Sequence, residues 1–448
     1  MTDTSNIASN NTERRHSQIL FIIGSFFFAF FISLTLLSEQ INTQSYQNKI
    51  SWKDQPALNI WFDSNPPLVY LAMTSRNTKS QMTNRHPLFP YVGILPVKTM
   101  GLLGIPEPLG VCLALAFGVG LMSGLFALTL AMTIKNVALM WLSQGLFFAS
   151  SSFIFWSGIC ERFPLGSASI LAVTAGVAYY SKKGRMPVMA AISLNVISLS
   201  ITITNWMFGL LMTLSFFKIK TAIKVALLGF LLMAFFWLLE DLFIEQRNSL
   251  IHVNSWNQHF IFHSYPGSFF QKLITFLGHT VVIPSIHPYG FSEGIGAEAH
   301  EMLGVAHAKL GSGTLLGGLL ATTWGLALIG AGVLWWLKTN KSIFDRFLLL
   351  AILGQVAFHM VYGVELFLYG LHIAPLILLF VCRGLDQVKG LPHRTLITAL
   401  FLLVPLLAFH NIIGYIEART LYLESYENRL NSSMQSLSPT EVKVSHRK

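Results

Sequence analysis

The sequence predicts an all-α protein that crosses a membrane about eleven times. Hydrophobic residues make up 53% of the 448 residues and charged residues only 11%, whereas a soluble protein usually has about 25% charged residues. The mean hydropathy is +0.57. Apolar runs of about 20 residues, the length that a helix needs to cross the hydrocarbon core, recur along the chain. If each run is a span, the basic clusters between them all face one side.

The N-terminal region is predicted to hold a tail, an anchor and a loop. Residues 1–17 are polar and end in a basic cluster, so we expect a cytoplasmic tail before a first span at 18–37. No small-residue cleavage pattern follows, which favours an uncleaved signal anchor over a cleaved signal peptide. A first outer loop is predicted over 38–106. Its final part, 87–105, is apolar but broken by prolines and a lysine, which indicates two short interfacial helices rather than a span.

The transmembrane region is predicted to extend over 18–416. Its further spans are expected at 107–133, 137–158, 164–180, 187–204, 206–217, 222–242, 312–337, 345–362, 366–384 and 396–414. The 206–217 run is short, but without it the later basic clusters would lie outside. A long outer loop is predicted over 243–311, and a polar, poorly ordered tail over 417–448. No internal repeat typical of a two-halved transporter is visible in the sequence.

Cysteine content and net charge narrow the choice of function. The three cysteines, Cys112, Cys160 and Cys382, are far apart, so no disulfide framework is predicted. The formal charge of +10 is explained by basic residues in the inner loops. We therefore expect membrane lipid, and no nucleic acid, as a partner of this chain.

A polar stretch after the first span carries the main candidate for chemistry. Asp63 follows Trp61 and Phe62 and precedes a proline pair, so it should be held near the outer surface and partly desolvated. Such a carboxylate can act as general base toward a hydroxyl group. The competing interpretation is a solvated loop carboxylate or a helix N-cap. Asp54 is a second carboxylate in the same loop, with no better context.

Two basic residues follow in the same loop. Arg85 and His86 could bind a phosphate at the interface, Arg85 through its planar fork and His86 as a donor when protonated. The alternative is a pair of basic side chains that snorkel to the lipid headgroups. Glu161 and Glu365 would lie at outer turns and are further functional candidates, whereas His359 on an apolar face is more often a helix contact.

The long outer loop is rich in histidine. It contains seven of the fourteen histidines: His252, His259, His263, His279, His287, His300 and His307. A metal site is one hypothesis, because His259 and His263 would share a helix face and Glu298, His300 and Glu301 cluster. The spacing matches no closed zinc pattern. Contacts to substrate or phosphate, for which Lys272 and Arg247 are also candidates, and ordinary surface histidines remain the alternatives.

Three short motifs combine acidic, basic and aromatic residues. They consist of Asp63, Val69, Met73-Thr74 and 85–89 in the first outer loop, of Glu161-Arg162-Phe163 between the third and fourth spans, and of 365–369 with His372 later. Together they resemble a group of bacterial multi-spanning proteins in the GT-C glycosyltransferase superfamily. That group is similar to the protein O-mannosyltransferases and to the aminoarabinose transferases of lipid A.

The resemblance implies a specific reaction. A sugar carried on a polyprenyl phosphate or diphosphate would be transferred to a hydroxyl acceptor, with inversion at the anomeric carbon, on the outer side of a bacterial inner membrane. By motif position Asp63 would be the catalytic base. The residues implied to contact substrate or phosphate are Arg85, His86, Glu161, Glu365 and His372. The sequence has Asp63-Ser64 where many members carry two adjacent acids, so a single base would serve.

The resemblance leaves the metal, the acceptor and two other functions open. A divalent metal would suit an oligosaccharyltransferase-like member, whereas monosaccharide transferases of this type are metal-free. The acceptor, a glycan, a lipid or a protein, is not readable from the sequence. A glycolipid transporter or flippase would need charge pairs at mid-membrane and pseudo-symmetric halves. A polysaccharide polymerase or ligase would place its key arginines and histidines in the long late loop.

Overall fold

The computed structural model is built almost entirely from helices. It describes residues 4–43, 61–62, 64, 66–76, 83, 85–242, 244–245, 268–291, 300–305, 314–363, 365–388 and 391–436. The helices of the first half are α1 (Thr4–Thr43), α2 (Pro66–Thr74), α3 (Phe89–Val92), α4 (Ile94–Leu102), α5 (Glu107–Thr133), α6 (Val137–Ala149), α7 (Ser151–Trp156) and α8 (Phe163–Lys183). Those of the second half are α9 (Val188–Ile201), α10 (Trp206–Phe216), α11 (Ile219–Leu239), α12 (Phe269–Ile274), α13 (Leu315–Leu337), α14 (Ile343–Val361), α15 (Gly370–Leu385) and α16 (Leu391–Ser436).

Eight of the described helical segments are long and apolar enough to cross a membrane. They are formed by α1, α5, α8, α11, α13, α14, α15 with the 3₁₀ turn Leu366–Tyr369 before it, and α16. The predicted class, a multi-pass α-helical membrane protein, is therefore confirmed. The count of eleven is not, because α6, α9 and the 203–216 segment are shorter. The predicted span at 137–158 is in fact broken at Ser150, between α6 and α7.

The centre of the bundle is the helix α15. In the 366–385 segment 89% of an 18-residue stretch is buried, against 11% in α16. The helix packs against α6, α8, α13 and α14. A helix that is apolar on all sides and covered by other helices belongs to the core, whereas apolar helices on the outside can face lipid. Therefore α15 organises the interior, and α1, α11, α13 and α16 form the periphery.

Ion pairs fasten the end of the bundle that carries the basic loops. The carboxylate of Asp345 accepts hydrogen bonds from Arg383 and, at 2.6 Å, from Lys338. The carboxylate of Asp386 accepts from the backbone N–H of Asn136 at 3.2 Å, at the start of α6. Because Asp345 is 4% exposed, its charge is stabilised by these cations rather than by bulk water. The cluster ties α13, α14 and α15 to one another.

Part of the loop predicted over 243–311 is buried inside the bundle. After α12 the chain forms a π-helical turn, Thr275–His279, and the backbone N–H of Ser152 donates to the carbonyl of Thr280 at 3.1 Å. The side chain of Asn411 donates to the carbonyls of Ala149 and Val281 at 2.7 and 2.8 Å. Irregular backbone at such depth needs protein partners, because lipid offers none. The break in the 137–158 span supplies them.

A small sheet follows that the all-α prediction missed. Strands β1 (His287–Phe291) and β2 (His300–Gly304) pair antiparallel, with His287 opposite Gly304. Trp61 forms an isolated parallel bridge to Leu303 of β2. The late loop and the first outer loop are therefore joined through backbone contacts.

The helices at the two chain ends extend into the predicted tails. The helix α1 begins at Thr4, within the tail predicted over 1–17, and α16 runs through most of the polar tail predicted over 417–448. Ala418 and Tyr422, one helical turn apart, are 0% and 1% exposed, and the ring of Tyr422 stacks on that of Trp61 with centroids 4.8 Å apart. Arg419 also pairs with Glu39 of α1 at 2.7 Å. Packing against the first loop therefore extends the helix beyond the apolar run.

Candidate functional site

The segment that holds Arg85 and His86 is fastened to the turn between α9 and α10. The backbone N–H of Ile203 donates to the carbonyl of Arg85 at 3.0 Å, and that of Leu88 donates to the carbonyl of Ser200 at 2.8 Å. The side chains of Arg85 and His86 are half-buried. Backbone bonds on either side of the pair thus hold a part of the first loop against the helix bundle.

The ring of His86 has a defined tautomer. Its Nδ1 lies 2.7 Å from the carbonyl oxygen of Ile201, and a carbonyl only accepts, so Nδ1 carries the proton. Burial, together with the positive charge of Arg162, holds the pKa of His86 well below its usual value. The neutral ring then offers Nε2 as a hydrogen-bond acceptor. This geometry suits a substrate hydroxyl better than the protonated phosphate donor expected from the sequence.

Arg162 is the site residue to which the sequence analysis gave no role, although it lies within one of the three motifs. It lies at the N-terminus of α8, is 5% exposed, and its guanidinium lies 4.8 Å from the ring centroid of Phe89. Burial lowers the pKa of Arg162 to about 10, while Glu161 opposes the shift and Arg85 adds to it. The group therefore remains a cation at neutral pH. A lone arginine before Phe-Pro, in a chain with few charges, was the signal available in the sequence.

Glu161 supports Arg162 from the preceding position. Its Oε2 accepts a hydrogen bond from the backbone N–H of Arg162 at 3.1 Å, and its side chain is 5% exposed. The negative charge of Glu161 favours the charged form of Arg162. We therefore assign Glu161 to the same cluster as Arg162.

His372 lies on the same layer of the bundle. A Cβ atom added at Gly166, one helical turn after Arg162, would be 2.6 Å from Nε2 of His372, so only glycine allows this approach. The ring of His372 is also within electrostatic reach of His86. The structure thus brings together Arg85, His86, Glu161 and His372 of the predicted site, and adds Arg162.

The other two predicted site residues, Glu365 and Asp63, are not part of this cluster in the described structure. Glu365 is 1% exposed, and its carboxylate accepts hydrogen bonds from the backbone N–H groups of Val305 and Phe367 at 3.0 and 3.2 Å. Asp63 lies outside the described residues, but its neighbours Phe62 and Ser64 are 0% and 2% exposed. The part of the first loop next to Asp63 is therefore packed into the bundle.

An aromatic chain connects Phe62 to the start of α8. The ring of Phe62 contacts that of Trp156 with centroids 5.9 Å apart, and Trp156 contacts Phe163 at 5.1 Å. Phe163 in turn lies 6.1 Å from His372. Stacked and edge-on rings of this kind fix relative positions. The first loop and the cationic cluster consequently belong to one packed region.

An apolar groove opens beside this cluster. Its volume is about 500 Å³. The groove is lined by Phe30, Tyr91, Val92, Pro96, Met100, Leu113, Ala114, Phe117, Leu121 and Leu165. Leu165 lies three residues after Arg162 on α8, and Tyr91 lies two residues after Phe89. The groove is therefore bordered by α3, which contains Phe89, and by α8, which begins directly after Arg162.

The metal hypothesis gains nothing from the residues whose side chains can be described. Within those ranges no group of three or more His, Cys, Asp or Glu side chains is arranged to hold a metal ion. His259, His263 and Glu298 lie outside the described residues, and only the backbone of His300 is described. Burial lowers the pKa of His279 to about 3, so this histidine is neutral.

The fold and the site define a class: a multi-pass membrane protein with a cationic cluster next to an apolar groove. No family model, no curated protein and no solved structure matches the chain.

Proposed function

We propose that this protein is a GT-C-type membrane glycosyltransferase, which moves a sugar from a polyprenyl-phosphate-linked donor to a hydroxyl acceptor. The observation that carries the proposal is the position of Arg162. A buried guanidinium beside an apolar groove suits a ligand with an anionic head and a long apolar tail. A polyprenyl phosphate has this composition, and the motif resemblance implies such a donor.

The donor would bind in two parts. Its isoprenoid tail would lie in the groove between α1, α4 and α5, where every lining side chain offers apolar surface. Its phosphate would pair with Arg162 and Arg85, whose forked donors match phosphate oxygens. In this arrangement the sugar projects from the groove toward the first loop, next to Phe62.

The reaction then needs a base and a stabilised leaving group. Asp63 would take the proton of the acceptor hydroxyl, whose oxygen attacks the anomeric carbon from the face opposite the phosphate. The bond from the anomeric carbon to the phosphate oxygen breaks, and its electron pair remains on the phosphate. Arg162 and Arg85 would stabilise that developing charge. His86 Nε2 and His372 would accept hydrogen bonds from hydroxyl groups of the substrates.

The proposal includes a topology of eleven spans. The side chain of Asn205, between α9 and α10, donates to the carbonyl of Gly166 at 3.0 Å, so the turn lies level with the first helical turn of α8. Both α9 and α10 also pack against α8, which supports counting both as spans. With α6 and α7 as one broken span, the total is eleven. The N-terminus would be cytoplasmic, and the site would face the periplasmic side of a bacterial inner membrane.

The main test is a transfer assay on Asp63→Asn. Membranes that contain the protein should transfer labelled sugar from lipid-linked donor to acceptor, and Asp63→Asn should lower the rate by about 100-fold or more, the usual contribution of a general base. Asp54→Asn, the same change in the same loop, is the matched control. Full activity of Asp63→Asn would remove Asp63 from the catalytic role.

The same lipid ligand would also suit a glycolipid flippase. Such a protein would move labelled glycolipid across sealed vesicles without forming a product. Flux without any transferred sugar would therefore replace the enzyme proposal with transport. A polymerase or ligase would instead lose activity on replacement of His259 or His263 and tolerate Asp63→Asn.

A further inference from the structure

Glu365 joins two elements that are distant in sequence. Its Oε2 accepts a hydrogen bond from the N–H of Val305 at 3.0 Å, and its Oε1 accepts from the N–H of Phe367 at 3.2 Å. Val305 directly follows β2, whereas Phe367 lies in the 3₁₀ turn before α15. The side chain is 1% exposed, so bulk water does not compete for these bonds, and their electrostatic strength is high.

Both of those elements hold Phe62. The backbone N–H of Phe62 donates to the carbonyl of Leu303 at 3.0 Å, two residues before Val305. The ring of Phe62 packs against the ring of Phe367, with centroids 4.9 Å apart. The backbone support and the side-chain support of Phe62 therefore both lead to the carboxylate of Glu365.

Phe62 needs this support because its backbone is strained. Its φ is +47°, a region that residues with a Cβ atom rarely occupy. The N–H of Ser64 donates to the carbonyl of Trp61 at 2.7 Å and closes a tight turn. A strained turn persists only where its surroundings over-determine it, and such turns cluster at functional sites. The strain here lies directly before Asp63.

We propose that Glu365 is a positioning residue for Asp63. It fixes β2 and Phe367, and these hold Phe62, the residue directly before the proposed base in the chain. This replaces the role of substrate contact that the sequence suggested for Glu365. The inference rests on the proposed function for its kinetic part, and on the contacts alone for its structural part.

The structural part is tested by amide hydrogen exchange on the full-length protein in nanodiscs. Glu365→Gln keeps the side-chain volume, but an NH₂ group cannot accept, so one backbone N–H loses its acceptor. Exchange at Phe62 and Val305 should become about tenfold faster or more. Glu107→Gln, at an exposed ion pair with Lys98, is the control and should leave both rates unchanged. Unchanged rates in Glu365→Gln would overturn the proposal, whatever reaction the protein performs.

The kinetic part separates positioning from donor binding. Sugar transfer by Glu365→Gln in native membranes should fall about tenfold or more, while its affinity for a long-chain polyprenyl phosphate stays within about twofold of the wild type. A matching loss of lipid affinity would show a donor contact and overturn the proposal. If the wild type transfers no sugar, the proposed function fails, and the exchange rates alone decide the role of Glu365.

If Glu365→Gln does not fold, hydrogen exchange in the wild-type protein still tests the proposal directly. In the wild-type protein the amides of Phe62 and Val305 should exchange at least about 100-fold more slowly than in an unstructured peptide, as buried bonded amides do. Exchange of both amides at the peptide rate would mean that the bonds to Leu303 and Glu365 do not persist. That result would overturn the proposal without any substitution.

Discussion

The guanidinium of Arg162 lies 4.8 Å from the ring centroid of Phe89, which places a buried cation of α8 on an aromatic ring of the first outer loop. An arginine in this position is partly desolvated, and the face of the ring stabilises its charge. The contact also joins the two elements that border the apolar groove. It thereby couples the proposed site for the phosphate to the proposed site for the isoprenoid tail.

Replacement of Arg162 should weaken lipid binding through loss of charge. We expect Arg162→Gln to bind a long-chain polyprenyl phosphate about tenfold or more weakly than the wild type, because a charged hydrogen bond contributes about 1.5–3 kcal/mol. Phe89→Leu, which keeps the cation and removes the ring, should have a smaller effect of about 0.5–2 kcal/mol. Thermal shift on addition of the lipid measures both. Lys98 is an exposed cation of the same loop, so Lys98→Gln serves as the control. If Arg162→Gln bound the lipid as tightly as the wild type, Arg162 would not be a phosphate contact.

A bulky residue in the groove should exclude the tail. Ala114→Phe places a ring among the lining residues, and we expect the affinity for the long-chain lipid to fall about tenfold or more through steric exclusion. A water-soluble phosphate analogue with a short chain should bind as before. Leu109→Phe lies on the same helix outside the groove and provides the control. Retained binding of the long-chain lipid by Ala114→Phe would show that the tail lies elsewhere.

The low pKa of His86 predicts a dependence of stability on pH. The folded pKa lies well below 6.5 because of burial and Arg162, so below pH 6.5 the unfolded chain binds a proton that the folded one does not. Stability should therefore fall as pH decreases from 6.5, by at most about 1.4 kcal/mol per pH unit. In His86→Gln the midpoint of thermal unfolding should change less between pH 7.5 and 5.5. Identical slopes would mean that His86 titrates alike in both states.

Labelling of single cysteines tests the span count. The native cysteines are all buried, which keeps the background low. With eleven spans, Lys183→Cys and Lys220→Cys should react with an impermeant reagent only from the cytoplasmic side, and Thr204→Cys only from the periplasmic side. Whole cells and inverted vesicles provide the two arms. Reaction of Thr204→Cys from the cytoplasmic side would show that α9 and α10 do not cross.

The sequence predicted well those elements that local composition decides. The span predicted at 107–133 coincides with α5, and the short run at 206–217 with α10 to within one residue. Pro106 and Lys135 bound the first apolar run, and Asn205 and Lys218 bound the second. The two short helices predicted within 87–105 are α3 and α4. Each of these features depends on residues within one short continuous stretch of the chain.

The rest depends on contacts between distant residues. The break at Ser150 is stabilised by backbone partners more than 120 residues later in the chain. A short stretch of sequence cannot contain both the break and its partners. The role of Arg162 depends on Phe89, and that of Glu365 on β2, which was not predicted at all. Sequence periodicity gives the side of a helix that is buried, but not the atom that it meets there.

The side chain of Asn411 has a consequence for how the protein is made. It donates to the carbonyls of Ala149 and Val281, and its Oδ1 accepts from the N–H of Ile283 at 2.9 Å. Synthesis proceeds from the N-terminus, so the broken helix and the buried loop are present long before their last partner emerges. Unpaired carbonyls in lipid are costly. A chain released before residue 411 would hence be inserted with the carbonyls of Ala149 and Val281 lacking this partner.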